Sequence, residues 1–173
     1  MSALPSMSLD DYAARFALDL LPTYFFPDAA RQALSEGFDA PPLQVLASMG
    51  HSLPGEDAIP LFRRGLLDIG HLPTRHQAFE WLTGAVCHRI VDGTQDCFEG
   101  AFEIRWFASA LGEDECPSYV WEFYGWADEV RDLACNREWY HENMPGYIEM
   151  CIDEAREQIQ CLAEDQLHQI STA

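Results

Sequence analysis

Lysine is absent from this chain of 173 residues, so every one of its ten Lys-or-Arg positions is an arginine. Without lysine there is no Walker lysine to hold a nucleotide phosphate and no Ser-x-x-Lys nucleophile. The patterns G-x-G-x-x-G, G-x-S-x-G and C-x-x-C are missing as well. The sequence therefore lacks the common signatures of nucleotide binding, serine hydrolysis and dithiol chemistry.

Long apolar runs are also lacking. No stretch reaches the roughly 20 apolar residues that a membrane-spanning helix needs. The amino terminus, MSALPSMSLDDY, has neither a basic start nor an apolar segment of the secretory type. We therefore expect a cytoplasmic protein with no membrane partner.

Positive charge is scarce, because 29 Asp and Glu stand against ten Arg and give a formal net charge of −19. The excess is concentrated late in the chain, where residues 113–173 carry a net −12 and residues 1–112 a net −7. Such a charge repels nucleic acid and anionic membranes and attracts basic proteins. We expect no direct nucleic-acid partner and a basic protein partner, while the oligomeric state is not encoded in these features.

The remaining composition is that of a folded chain. Hydrophobic residues make up 48% and aromatic residues 12% of the sequence, which is too much apolar material for a disordered protein. Six cysteines without C-x-x-C spacing, in a chain of this expected compartment, predict reduced and buried thiols. The length fits one domain.

Helix punctuation dominates the sequence and no segment shows sustained strand-like alternation. We predict an all-α, single-domain multi-helix bundle of about seven to eight helices, with short extended pieces near residues 24–26 as an alternative there. The predicted helices cover approximately 9–21, 27–36, 41–49, 59–69, 75–91, 97–111, 117–133 and 145–169, with a loop at 51–57 and a short turn at 136–141. Ser8, Thr74 and Asp96 are the predicted N-caps.

An acidic segment rich in aromatic residues is the strongest candidate for a binding surface. Carboxylates steer a basic partner and set its register, while Trp and Tyr side chains act as anchors. The predicted partner-binding residues are Glu113, Asp114, Glu115, Trp121, Glu122, Tyr124, Trp126, Asp128, Glu129 and Asp132. The alternative is an ordinary amphipathic helix with a solvated acidic face, although aromatic residues lie at too many angles for all of them to reach a core.

A metal site is a further alternative for the carboxyl-terminal third. Glu138 and His141 match one half of the Glu-x-x-His pattern of carboxylate-bridged di-iron proteins. A second Glu-x-x-His is absent, and a chain with 29 acids and six histidines forms such spacings by chance. We therefore predict no cofactor and no catalytic residue, and retain Glu138 and His141 as metal-ligand candidates.

Two stretches of the sequence resemble a family of small, uncharacterised bacterial helical proteins. Residues 33–47 read ALSEGFDAPPLQVLA, and residues 90–104 contain Ile90-Val91-Asp92-Gly93, Glu99-Gly100-Ala101 and Ile104. The chain departs from the pattern at Cys97, where a proline often stands. The resemblance implies an all-helical fold of the immunity-protein type, and it brings no activity or catalytic residue with it.

Charge, size and the absence of enzyme signatures together predict a function. We expect an acidic protein-binding protein, most consistent with an immunity or antitoxin type inhibitor of a basic bacterial toxin. The alternatives are a metal-dependent enzyme with a helical carboxylate and histidine site, a DNA mimic, and an assembly protein that is acidic only for solubility.

Overall fold

The computed structural model describes residues 7–49 and 55–172, and for Glu113 it describes the backbone alone. Nine α-helices and two short 3-10 helices make up this part of the chain, and it contains no strand. The predicted all-α fold is confirmed. The prediction was about seven to eight helices. The additional helix covers residues 137–143, where the sequence indicates a short turn.

Two compact units divide the chain, Met1–Trp81 and Leu82–Ala173. The division falls within one continuous helix, Arg75–Val91. The prediction of a single domain therefore stays a prediction.

The first unit packs around phenylalanine rings. Its helices are α1 (Leu9–Ala17), α2 (Phe26–Ser35), α3 (Pro41–Ser48), α4 (Gly55–Asp68) and the start of α5 (Arg75–Val91), with a 3-10 helix at Thr23–Phe25. Phe62 lies 5.0 Å from Phe16 and 4.7 Å from Phe26, measured between ring centroids. The 3-10 helix replaces the extended piece suggested near residues 24–26.

The prediction that α1 continues to Leu21 is wrong. Ser8 caps its start as expected and forms a capping box with Asp11, but the helix ends at Ala17 because Asp19 adopts a positive φ of 60°. Aspartate tolerates this left-handed conformation better than most residues. Arg75 holds it there by donating a hydrogen bond of 2.9 Å to its carboxylate.

Helix α4 starts a turn earlier than the sequence indicates. Residues 55–57 are helical, not part of a loop, and residues 51–54 of that predicted loop lie outside the described residues. Glu56 and Asp57 occupy the first turn, where negative side chains interact favourably with the helix dipole. Pro60 consequently lies inside the helix, beyond its first turn.

The second unit contains the rest of α5, then α6 (Cys97–Leu111), a 3-10 helix (Glu113–Glu115), α7 (Ser118–Cys135), α8 (Arg137–Asn143) and α9 (Tyr147–Thr172). Its core includes fully buried Ile104, Phe107, Phe123 and Ile159. The predicted cap at Asp96 is confirmed, since its carboxylate accepts hydrogen bonds from the backbone N–H groups of Phe98 and Glu99.

The prediction that the cysteines are buried is right for three of the six and wrong for two. All six are free, and Cys87, Cys97 and Cys151 are buried, but Cys135 and Cys161 are exposed. Both exposed thiols lie on the outer faces of long helices. The sequence alone does not show whether a small apolar residue on such a helix is exposed or lies in the core.

No helix among the described residues has the length and apolarity needed to cross a bilayer.

Candidate functional site

The predicted acidic aromatic segment occupies the second 3-10 helix and most of α7. Asp114 and Glu115 are exposed at its beginning, and the side chain of Glu113 lies outside the described part of the structure. Pro117 precedes α7 in an extended conformation (φ −62°, ψ 144°) and so sets where the helix begins. The segment is thus one helix with a short acidic turn in front of it.

Aromatic residues of α7 are partly engaged by the chain itself. Trp121 is 45% exposed, and the guanidinium of Arg105 on α6 lies 4.6 Å from its ring centroid and 5.8 Å from that of Tyr124. Trp126 is half-buried. Trp121 is therefore a surface residue, but one face of its ring already carries a cation.

Asp128 is neutralised within the same helix. It forms an ion pair with Arg131, whose guanidinium also lies 5.5 Å from the ring centroid of Phe102. The hydrogen bond with Tyr124, and then the charge of Asp128, raise the pKa of Arg131. Asp128 is consequently less available to a partner than its place in the sequence suggests.

The other acids of α7 have no such partner. Glu122, Glu129 and Asp132 are exposed, and none of them forms an ion pair or a hydrogen bond through its side chain with the described residues. Their negative charge faces solvent, where it can act on an approaching molecule. These are the three carboxylates of α7 that form no ion pair with the described residues, although the charge of Asp132 also acts on the neighbouring Arg131.

A groove runs beside the second half of α7. It has a volume of about 490 Å³, and we call it the acidic groove; it is lined by Gly125, Asp128, Glu129, Asp132, Leu133, Asn136, Tyr140 and Tyr147. Asn136 sits at the junction of α7 and α8, where its side-chain amide donates to the carbonyl of Asp132 at 3.0 Å. The junction thus directs α8 so that Tyr140 forms one wall.

The aromatic side of the acidic groove comes from α8 and α9. The rings of Tyr140 and Tyr147 stack, with centroids 5.6 Å apart and an interplanar angle of 20°. Gly146, at φ 83°, makes the left-handed turn that brings the two tyrosines together. The hydrogen bond with Cys151 is the largest cause that raises the pKa of Tyr147, and nearby Glu129 acts in the same direction.

Sequence reasoning missed both tyrosines. They lie outside the predicted segment, and their stacking depends on a turn whose direction the sequence does not give. The available signal was the Pro145-Gly146 pair between two aromatic residues, which is typical of a tight reversal.

Exposed apolar side chains adjoin the groove in sequence. Trp139 is 56% exposed, Met144 is 43% exposed and Met150 is 57% exposed; we call these three the apolar rim. The ring centroid of Trp139 lies 4.9 Å from that of Tyr140, and Met150 is one helical turn from Tyr147. Large exposed apolar side chains beside carboxylates are typical of interaction surfaces.

Glu138 and His141, the metal-ligand candidates, do not gather further ligands. No group of three or more His, Cys, Asp or Glu suited to a metal occurs among the described residues. The Nε2 atom of His141 instead accepts a hydrogen bond of 3.1 Å from Arg137, which occupies the lone pair that a metal would use. The structure offers no observation in favour of the metal-dependent enzyme.

The first unit has a cleft of about 400 Å³ that is lined by ionisable side chains. His71 and Asp10 are among its lining residues, and their nearest side-chain atoms are 3.8 Å apart. The ring of His71 packs against Phe38, with centroids 4.3 Å apart. None of the described residues that line this cleft is a serine, threonine or cysteine, so they give the pair no nucleophile to activate.

Comparison with known proteins adds no family to this picture, since no family model, no curated protein and no solved structure matches the chain. The kinship with small bacterial helical proteins therefore remains a resemblance.

Proposed function

We propose that this chain is a binding protein that captures a basic protein through the surface formed by α7, α8 and the start of α9. The observation that carries the proposal is a set of three exposed carboxylates of α7 that form no ion pair with the described residues, next to the acidic groove and the apolar rim. They are Glu122, Glu129 and Asp132. Carboxylates supply steering and register, and the exposed aromatic and methionine side chains supply contact area.

A toxin is the partner that this proposal favours, with the chain acting as its immunity or antitoxin protein. A net charge of −19 speeds the encounter with a cationic protein by a factor of about 10 to 1000. Rapid capture is the property that a protective protein needs, because the toxin must be bound before it acts.

The test is capture from the native lysate at about 0.15 M salt, where the screening length is about 8 Å. The immobilised wild-type protein is compared with a variant that carries Glu122→Gln, Glu129→Gln and Asp132→Asn. We expect one basic protein to be retained by the wild type and lost from the variant, because its contact face has lost three charges.

A matched control removes the same charge from another surface. Glu157, Glu164 and Asp165 are exposed on α9 and are not among the residues that line the acidic groove. The variant Glu157→Gln, Glu164→Gln and Asp165→Asn should retain the basic protein. Retention of the same set of proteins by all three forms, or of none, would contradict the proposal.

A further inference from the structure

In the second unit, two arginines each contact one carboxylate and one aromatic ring. We call this arrangement a cradle. Arg156 lies 5.7 Å from the ring centroid of Phe98 and pairs with Asp153 at 3.2 Å. Arg131 lies 5.5 Å from the ring centroid of Phe102 and pairs with Asp128. In both cradles the guanidinium lies over an aromatic ring and donates a hydrogen bond to a carboxylate.

The acidic groove contains the components of a third cradle. Glu129 and Asp132 supply carboxylates one helical turn apart, and the stacked rings of Tyr140 and Tyr147 supply the aromatic wall. No arginine of the described chain pairs with these acids or lies over these rings. Arg131, which lies between the two acids in the sequence, forms its ion pair with Asp128, and Arg137 donates its hydrogen bond to His141.

From this comparison, and resting on the proposed function, we propose that the acidic groove receives an arginine side chain of the basic partner. The guanidinium would lie against the wall formed by Tyr140 and Tyr147 and donate hydrogen bonds to Glu129 and Asp132. Guanidinium is planar and weakly hydrated, so it stacks on aromatic rings and binds carboxylates through two N–H groups at once. Lysine has a compact, strongly hydrated ammonium and fits this geometry less well.

Further features of the site suit this occupant. Tyrosine is neutral at physiological pH because its usual pKa is about 10, so the face of the Tyr147 ring is available to a cation. The apolar rim provides contact for the aliphatic stem of an arginine and for its neighbours in the partner chain. The same side chains would not favour an anion or an apolar ligand of the size of the groove.

The test uses three peptides of equal length, tetra-arginine, tetra-lysine and tetra-citrulline, titrated into the full chain by calorimetry at about 0.15 M salt. We expect tetra-arginine to bind about three-fold more tightly than tetra-lysine, the size of one exposed cation–π contact. Tetra-citrulline, which keeps the shape without the charge, should not bind measurably. Equal affinities for the arginine and lysine peptides would overturn the proposal.

Variants then assign the preference to the groove. Tyr147→Leu should abolish the difference between arginine and lysine, whereas Tyr147→Phe, which keeps the ring, should preserve it. Glu129→Gln with Asp132→Asn should weaken tetra-arginine binding about ten-fold, and the charge-matched pair Glu164→Gln with Asp165→Asn about two-fold or less, as general charge reduction predicts. An arginine preference that survives Tyr147→Leu, or equal losses in the two pairs, would place the binding elsewhere.

The peptide titrations test the arginine site, and the capture from lysate tests the proposed function. Each can be rejected without the other. If a basic protein is captured from lysate but the peptides show no arginine preference, the function stands and the arginine site is rejected. If the peptide preference depends on Tyr147 but no basic protein is captured, the site stands and the proposed function is rejected.

Discussion

The guanidinium of Arg105 lies over the ring of Trp121, 4.6 Å from its centroid, and links α6 to α7 on the outside of the second unit. A cation over the face of an indole is among the stronger contacts of this kind. The pair is partly exposed, so its contribution to the free energy of unfolding is at the lower end of the range, about 0.5–1 kcal/mol.

A double-mutant cycle measures this contribution. We expect Arg105→Ala and Trp121→Ala to be coupled by about 0.5–1 kcal/mol in urea denaturation. The control cycle combines Arg105→Ala with Trp106→Ala, because neighbouring residues on a helix do not face each other. A coupling in the control cycle as large as in the first would show that the cation–π contact is not the cause.

We predict that replacing glycine by alanine has opposite effects on the free energy of unfolding at Gly100 and Gly125. A Cβ at Gly100 would lie 2.7 Å from Cδ1 of Ile90 and 3.1 Å from Cγ1 of Val86, whereas a Cβ at Gly125 would meet no atom within 4 Å. Gly100→Ala should therefore lower the free energy of unfolding by about 1–3 kcal/mol through overpacking. Gly125→Ala should raise it by about 0.5–1 kcal/mol, since alanine favours the helix.

Thermal and urea denaturation of the two variants check this pair of predictions. Two effects of the same sign would contradict it, because they would mean that helix propensity or packing alone decides both sites. The close approach of Ile90 and Val86 makes Gly100 a packing position.

The free energy of unfolding should fall as the pH rises through the alkaline range. Burial raises the pKa of the Cys87 thiol from 9.0 to about 12, so the folded chain keeps a proton that the unfolded chain loses. Between pH 9 and 12 unfolding releases this proton and becomes more favourable as pH rises, with a slope of up to about 1.4 kcal/mol per pH unit from this group. Burial also raises the pKa values of Cys97 and Tyr12, which act in the same direction.

Urea denaturation at several pH values, from 7 to about 10.5, measures the slope. Cys87→Ala lowers stability at every pH because it leaves a cavity, but its decline above pH 9 should be shallower than that of the wild type. Parallel declines in the two proteins would show that Cys87 does not contribute.

The local parts of the fold were predictable from the sequence and the long-range parts were not. Ser8 and Asp96 identified helix starts because a cap involves only a few consecutive residues. The early end of α1 at Ala17 depends on the conformation of Asp19, which is held by Arg75, 56 residues away. No periodicity in the sequence reports such a contact. The helical character of residues 137–143 was missed because this segment is short and has no buried face to produce a pattern.

The candidate site shows the same division. The acidic half, Glu129 and Asp132, followed from composition along one helix. The aromatic half, Tyr140 and Tyr147, depends on the turn at Gly146. The pairing of Asp128 with Arg131 was not predicted, although the two residues are only three apart and helical spacing permits it.

That pairing decides which charges to remove in kinetic work. Neutralising Glu122, Glu129 and Asp132 while keeping Asp128 should slow association with the captured basic protein by roughly ten-fold at low salt and flatten its salt dependence. Adding Asp128→Asn would leave Arg131 without its partner and confuse the result. Stopped-flow association over a range of salt concentrations makes the measurement, and an unchanged rate would exclude these carboxylates from steering.

None of the seven residues of α8 is buried. A helix this short is marginal by itself in water, so α8 is held chiefly by the stack of Tyr140 on Tyr147 and by its connections to α7 and α9. Its backbone amides should exchange with deuterium much faster than those in the middle of α7. A partner that docks against Tyr140 would keep α8 folded and slow the exchange of the α8 amides. The slowed exchange would map the contact surface without any substitution in the chain.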